Sequence, residues 1–332
     1  MRNTKLILIE GLSGSGKSTM AGFLSRQLTK NGIAHTWWYE ECKWHPLYTF
    51  HDQASLQQLI DTIQAGNYRQ VVAAVLEKWR QFADALHKSD TVVILDSCLF
   101  GYLIWTLFPF DVPQAEIHAY LARVLEIISV THPYLIYLRP DNVAVALKRF
   151  YERGGGETEQ NAIEAIEQSS YAKRRGLQGF DGVITYWTDY RRIVDEVFAS
   201  IDFAKLLVEN SAGDWSTYQQ QALDFLDLPL REEPISCEEL ERFVGVYSYR
   251  EDGIKRTCQV RKENDYLVAE GVPQLWPQNR LVPIAPNVFA IESFPFEIRF
   301  TQDTNGNVGE MVLTGPEQLF GTVNATLLRE EG

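Results

Sequence analysis

Residues Gly11-Leu12-Ser13-Gly14-Ser15-Gly16-Lys17-Ser18-Thr19 carry the clearest chemistry in the sequence. They fit the pattern Gly-x-x-x-x-Gly-Lys-Ser/Thr, in which glycines let successive backbone N–H groups turn inward toward phosphate oxygens. A side chain at those glycines would clash or forbid a positive φ. Lys17 is placed to reach β- and γ-phosphates, and the Ser18 hydroxyl to sit on Mg²⁺. Thr19 either contacts the α-phosphate or caps the helix. That helix, beginning near Lys17, adds the partial positive charge of its N-terminus. An apolar run, Leu6–Ile9, precedes the loop and a helix-compatible run, Met20–Leu28, follows it. This strand–loop–helix context is what the pattern needs in order to work. Gly11, Ser13, Gly14, Ser15, Gly16, Lys17, Ser18 and Thr19 are therefore the expected triphosphate-binding residues, with ATP and Mg²⁺ as nucleotide and metal.

A phosphate loop says which phosphates are held, not what happens to them, so other strand ends must decide. The apolar run Val92-Val93-Ile94-Leu95 ends in Asp96, the placement of a carboxylate on the Mg²⁺ side of such a site. The alternative is a helix N-cap. Glu40-Glu41 follow Trp37-Trp38-Tyr39 and would face the same sheet edge. There a carboxylate takes the proton of an attacking hydroxyl, with Glu40, nearer the strand, preferred over Glu41. The alternative is a solvated acidic turn. Arg149 and Arg153 stand four apart, on one helix face, before Gly154-Gly155-Gly156. They read as arginines on a mobile lid that neutralises a transferring phosphoryl group. The competing reading pairs them with Glu152 and Glu157, and Lys173-Arg174-Arg175 is a second candidate lid. Trp44-His45-Pro46-Leu47-Tyr48 with Phe50-His51 reads either as a pocket wall for a flat ring or as loop packing.

The elements that must position these groups fall into two textures. Apolar strands are expected at Leu6–Ile9, Thr36–Tyr39, Val92–Leu95, Tyr134–Leu138 and Lys205–Val208. Their lack of polar alternation implies burial on both faces of a parallel sheet. Helices are expected near 17–30, 53–65, 68–88, 113–130, 141–151, 159–175 and 183–200, with a last one, Trp215 to Leu226, capped by Asp214. This alternation predicts an α/β, doubly wound, mostly parallel five-stranded domain over 1–232, whose ligands bind at the carboxyl ends of the strands. After the acidic junction Arg231-Glu232-Glu233-Pro234, residues 236–332 read as a small antiparallel β domain, barrel or half-barrel. A short helix, Cys237–Phe243, leads into strands near 244–250, 255–262, 265–270, 287–292, 296–302 and 308–314. Glu251-Asp252-Gly253, Asn264-Asp265 and Asn305-Gly306 are its turn signals. Tyr247, Leu267, Leu281, Phe289 and Phe300 are its expected core.

The chain has 332 residues, 45% hydrophobic and 23% charged, with a net charge of −13. That surface argues against nucleic acid as a partner. No apolar run approaches the ~20 residues of a membrane span, so no membrane is expected. Cys42, Cys98, Cys237 and Cys258 lack metal-ligand spacing and read as free thiols. Together with a start that enters the first strand directly, they favour a cytoplasmic protein.

With these residues in place, the first 230 positions resemble P-loop nucleoside and nucleotide kinases of the thymidylate kinase-like and deoxynucleoside kinase-like type. The likeness rests on Gly11–Thr19, Glu40, Asp96 and the run Tyr137-Leu138-Arg139-Pro140 leading to Lys148-Arg149…Arg153-Gly154. It implies a glutamate base at Glu40, lid arginines at Arg149 and Arg153, and a small-molecule phosphate acceptor. Asp96 departs from the pattern, because Ser97-Cys98 follows it where those kinases carry an arginine. The tail resembles the small β domain appended to some serine β-lactamase-like hydrolases, through Phe243-Val244-Gly245-Val246-Tyr247, Tyr266–Ala269, Arg280-Leu281-Val282-Pro283 and Val288-Phe289. That resemblance implies an accessory module and leaves a homodimer open. The expected activity is ATP- and Mg²⁺-dependent phosphoryl transfer to a nucleoside-, nucleotide-, antibiotic- or sugar-like acceptor. A nucleotide-gated binding protein is the alternative, and Trp215 with Asn210-Ser211 is expected to border the nucleotide base.

Overall fold

A computed structural model describes residues 4–154, 156–231, 237–302, 307–319, 321 and 323–330, without the side chains of 103–105, 156, 157 and 237–239. The chain divides into two compact units, Met1–Leu230 and Arg231–Gly332. Glu232–Pro234 and the Asn305-Gly306 turn signal lie outside the described residues. Among those described, no helix is long and apolar enough to cross a membrane.

The first unit is built on five parallel strands: β1 (Leu6–Gly11), β2 (His35–Trp38), β3 (Val92–Asp96), β4 (Tyr134–Leu138) and β5 (Lys205–Val208). Their order is β2-β3-β1-β4-β5, which sets the ends of β1 and β3 side by side at the centre. The connecting helices are α1 (Lys17–Lys30), α2 (Gln53–Gln64), α3 (Tyr68–His87), α4 (Gly101–Thr106), α5 (Gln114–Ile128), α6 (Val143–Gly154), α7 (Gly156–Gln168), α8 (Ser170–Arg175), α9 (Gly179–Ser200) and α10 (Trp215–Leu226). One sheet face carries Ile7, Ile9, Ile94, Ile136 and Val208, which pack with Met20 and Leu24 of α1 and Leu223 and Leu226 of α10. Each such side chain contributes about 1.5–3 kcal/mol when taken from water. On the other face the Tyr137 hydroxyl donates to Asp195 of α9 at 2.9 Å, and Phe198 packs on its ring. Coverage of both faces explains why the central strands β1, β3 and β4 carry apolar runs rather than alternation.

Sequence and structure differ in the helices. The single helix expected over 159–175 is α7 and α8, because Ser169 interrupts it. Its backbone is extended and its hydroxyl caps α8 by accepting from Ala172 N at 3.1 Å. The short helix α4 is absent from the sequence expectation. Asp214 caps α10 as expected, accepting from Thr217 N at 3.2 Å.

The second unit opens with a 3-10 helix, Cys237–Phe243, and continues as β6 (Gly245–Glu251), β7 (Ile254–Glu263), β8 (Tyr266–Glu270), β9 (Gln278–Ala285), β10 (Val288–Ile291), β11 (Glu297–Gln302), β12 (Val308–Thr314) and β13 (Ala325–Arg329). All neighbours are antiparallel and the sheet closes on itself, so it is a closed eight-stranded barrel rather than the six strands read from sequence. The β6–β7 turn has positive φ at Asp252 and Gly253, as a two-residue hairpin requires. Phe243, Tyr247, Phe289 and Phe300 fill the barrel together with Leu267 and Leu281, all 2% exposed or less.

Candidate functional site

Gly14 and Gly16 hold φ of 75° and 86°, and their missing side chains are filled by neighbours. A Cβ on Gly14 would lie 2.6 Å from Phe150 Cβ, and one on Gly16 2.2 Å from the Trp215 ring. The loop backbone thus rests against α6 on one side and the start of α10 on the other. Asn210 ties it down further, donating from Nδ2 to the Ser15 carbonyl at 2.5 Å. Trp215 and Asn210 thus touch the loop backbone itself. Lys17, 7% exposed, turns its Nζ onto the Leu12 carbonyl at 3.2 Å. The Ser15 hydroxyl is buried without a hydrogen-bond partner.

Asp96 closes β3 next to this loop. It is completely buried, and neither carboxylate oxygen completes a hydrogen bond. It therefore does not act as a helix cap. Burial raises its pKa first and the nearby Glu40 second, while Lys17 and the Ser18 hydroxyl oppose the rise. Ser18 thus stands close enough to favour the ionised form, yet its geometry falls short of a hydrogen bond to either oxygen. The next residue, Ser97, takes φ 62°, a left-handed turn that is costly for a non-glycine residue, and its N–H donates to Ile9 O at 2.9 Å. A strained residue beside an orphaned carboxylate marks the end of β3 as more than a connection.

Glu40 meets this turn from β2. Its Oε2 lies 3.9 Å from where a Cβ on Gly101 would stand, and the Ser97 hydroxyl lies 2.5 Å from the same point. Glu41 follows, exposed at its surface yet crowded by protein around its carboxylate. That crowding, then the charge of Glu40, raises its pKa to about 7. Tyr39 lies buried beside them, its phenol pushed up by burial and then by Glu41, Glu40 and Asp96.

A fourth carboxylate escaped the sequence reading. Glu10 of β1 is completely buried and accepts the N–H groups of Cys98 at 3.0 Å, Leu99 at 2.8 Å and Phe100 at 3.1 Å. Burial raises its pKa to about 7, against the opposing pull of those N–H groups and Lys17. The signal was there: an acid ending the apolar run Leu6-Ile7-Leu8-Ile9 must find partners or be expelled. Glu10 fixes the turn after Asp96 from the β1 side. His45 fixes it from the other. Its Nδ1 accepts from Leu47 N at 3.3 Å and its Nε2 faces Cys98 Sγ at 3.3 Å, with burial holding its pKa down to about 3.

The remaining candidates sort differently from expectation. The aromatic segment is mostly interior: His45 stacks on Tyr48 at 4.3 Å, and Tyr48 on Tyr102 at 5.2 Å. Trp44, 60% exposed, and the exposed His51 stack on each other at the surface. It is loop packing that carries this stretch. Arg149 and Arg153 are both exposed on α6, and Arg149 donates to the Ser211 carbonyl at 3.1 Å, beside the phosphate loop. The mobile glycine loop expected after them is corrected: α6 runs through Gly154 and α7 starts at Gly156, with Gly155 outside the described residues. Thr158 donates back to the Gly154 carbonyl at 2.8 Å. Glu157 has no described side chain to pair. The second basic cluster is committed elsewhere, with Arg174 and Arg175 both bound to Asp111 at 2.5 and 2.7 Å.

The donor set fits a hard divalent cation: a buried carboxylate with two unused oxygens, beside a hydroxyl and the phosphate loop. Among the described residues no group of three His, Cys, Asp or Glu side chains could hold a metal alone. A cation here would need phosphate and water oxygens to complete its shell.

No protein-family model matches the chain, and no curated protein matches it. Among solved structures it is similar to the YorR protein of Bacillus subtilis, determined in complex with phosphorylated GDP. The two are 16% identical, and the match covers 67% of this chain and 95% of that one with a TM-score of 0.34. At that score the likeness adds no weight to the reading of the site.

Proposed function

We propose that the first unit is a phosphotransferase that uses ATP and Mg²⁺ to phosphorylate a hydroxyl of a small molecule. The observation that carries this is the buried, unbonded carboxylate of Asp96, set between the phosphate loop and Glu40. A nucleotide-gated switch would also use a carboxylate at Asp96, but has no need of Glu40 beside it. Lys17 and the loop N–H groups hold the β- and γ-phosphates, aided by the N-terminus of α1. Ser18 and Asp96 would hold Mg²⁺, which when bound neutralises charge on those phosphates. Glu40 accepts the hydroxyl proton as the acceptor oxygen bonds to the γ-phosphorus and the bridging oxygen departs with ADP. Glu10 and His45 keep the β3 end from moving while this happens. Arg149, beside the loop, is the arginine best placed to meet charge on the phosphoryl group.

Glu40→Gln tests the assignment. Turnover should fall by about 10²–10⁴-fold while ATP binding is retained. Unchanged turnover would remove Glu40 from the role of base.

A further inference from the structure

The turn after Asp96 is held through backbone groups. The Ser97 N–H donates to the Ile9 carbonyl at 2.9 Å, the next three N–H groups go to Glu10, and the Tyr190 hydroxyl donates to the Phe100 carbonyl. Those bonds keep Ser97 at φ 62°, a conformation that glycine would take at lower cost. The residue is nonetheless a serine, only 4% exposed, and its hydroxyl has no hydrogen-bond partner among the described residues.

The first residue of α4 shows where that hydroxyl points. Gly101 does not hold a positive φ, so its backbone does not require glycine, but its surroundings do. A Cβ there would lie 2.5 Å from the Ser97 hydroxyl oxygen, 3.2 Å from Ser97 Cβ and 3.9 Å from Glu40 Oε2. The serine hydroxyl and the glutamate carboxylate thus converge on one small space that glycine leaves open. The Glu40 backbone is fixed, since the Tyr48 hydroxyl donates to its carbonyl at 2.9 Å, but among the described residues no hydrogen bond holds its carboxylate. A base that takes a proton from one direction needs a further group to orient it.

We propose that Ser97 is a positioning residue for Glu40: with nucleotide bound, its hydroxyl donates to one carboxylate oxygen and leaves the other aimed at the acceptor hydroxyl. Gly101 keeps open the space in which the two meet. The strain at Ser97 is what brings a hydroxyl there. This rests on the phosphotransferase reading of the same site, in which Glu40 is the base.

A crystal structure of the full chain with Mg²⁺ and a non-hydrolysable ATP analogue tests the contact without turnover. Ser97 Oγ should stand about 2.5–3.0 Å from a Glu40 carboxylate oxygen, and a separation above about 3.5 Å would overturn the proposal. Ser97→Gly removes the hydroxyl and relieves the backbone, so its urea midpoint should be no lower than that of wild type. Its kcat should fall about 10–100-fold, the worth of one hydrogen bond to a charged group, with KM for ATP within about twofold. A lower midpoint with unchanged kcat would mean that the hydroxyl only supports the fold, and would refute the positioning role. Gly101→Ala should cost a similar factor in kcat by displacing the hydroxyl, and little more once Ser97 is already glycine. Additive losses would show that the two residues act apart, against the proposal. Glu40→Gln separates this proposal from the reading it rests on. If Glu40→Gln abolishes acceptor-dependent ADP release while Ser97→Gly leaves kcat unchanged, the positioning role falls and the phosphotransferase stands. If the contact is present and no acceptor stimulates release, the pairing stands and the phosphotransferase reading falls.

Discussion

Replacing Glu10 by Gln should give a stability cost that shrinks as pH rises. At any pH the amide keeps one oxygen for the N–H groups of Cys98 and Leu99, but points an NH₂ at the Phe100 N–H in place of Oε2. One buried donor then goes unmet, at about 1–3 kcal/mol. The wild-type acid adds a proton-linked term. Its pKa is about 7 in the native chain against 4.5 when exposed. Below about pH 4.5 it is neutral in both states and that contribution is intact. Between there and about 7 only the unfolded chain ionises, so the native state loses stability as pH rises. At about 1.4 kcal/mol per tenfold change in the proton equilibrium, the loss approaches about 3 kcal/mol. The amide of the Glu10→Gln variant does not titrate and would not share this loss. Glu41 and Asp96 titrate in both proteins and largely cancel in the difference. Urea denaturation near pH 5 and near pH 8.5 should therefore show the variant about 1–3 kcal/mol weaker in acid, and level with or more stable than wild type in base. A cost that grows with pH would refute the reasoning. It would mean that three N–H bonds outweigh burial and hold Glu10 as a stabilised anion.

Two further outcomes follow from packing. Gly16→Ala should weaken ATP binding at least tenfold. It forces a side chain into a φ of 86° and against the Trp215 ring, and Trp215→Leu should restore only part because the backbone strain of about 1–3 kcal/mol stays; binding within twofold of wild type, read by calorimetry, would contradict this. Phe300→Ala should destabilise the barrel by about 3–5 kcal/mol, since its ring lies 4.7 Å from Phe243 and 5.6 Å from Phe289. A loss under about 1 kcal/mol in urea unfolding would show that the barrel interior is not close-packed around it.

The central strands β1, β3 and β4 were legible because burial on both faces leaves unbroken apolar runs, and the edge strands β2 and β5, only partly buried, by their short apolar stretches between helices. Tyr134–Leu138 and Lys205–Val208 have the same ends in sequence and structure. The barrel was harder. β9 was missed because Pro283 argues against a strand. Pro283 fits because β8 pairs with β9 only at residues 278–281, and the β9–β10 ladder shifts register between Val288 and Phe289. β13 is short, and one of its two neighbours, β6, lies far back in the sequence, with Ser248 opposite Leu328. In the candidate site, the glycine loop after β1 and the carboxylate ending β3 stood out from local pattern alone. Glu10 showed only as an acid ending an apolar run, and what it does was not readable, because it holds N–H groups 88 to 90 positions away. The glycine loop was read too long: Gly154 belongs to α6 and Gly156 to α7, because glycines permit a loop but do not compel one where flanking helices continue.

Phosphoryl transfer by the first unit, as against mere nucleotide binding, is tested most directly by ADP release from ATP with Mg²⁺. Release is measured with and without a pooled library of nucleosides, nucleotides, sugars and amino sugars, and with Lys17→Ala as the blank. It should rise with an acceptor and vanish in the blank. ATP binding that is lost in Lys17→Ala, with release indifferent to every acceptor, would contradict phosphoryl transfer and point to a nucleotide-gated binding protein.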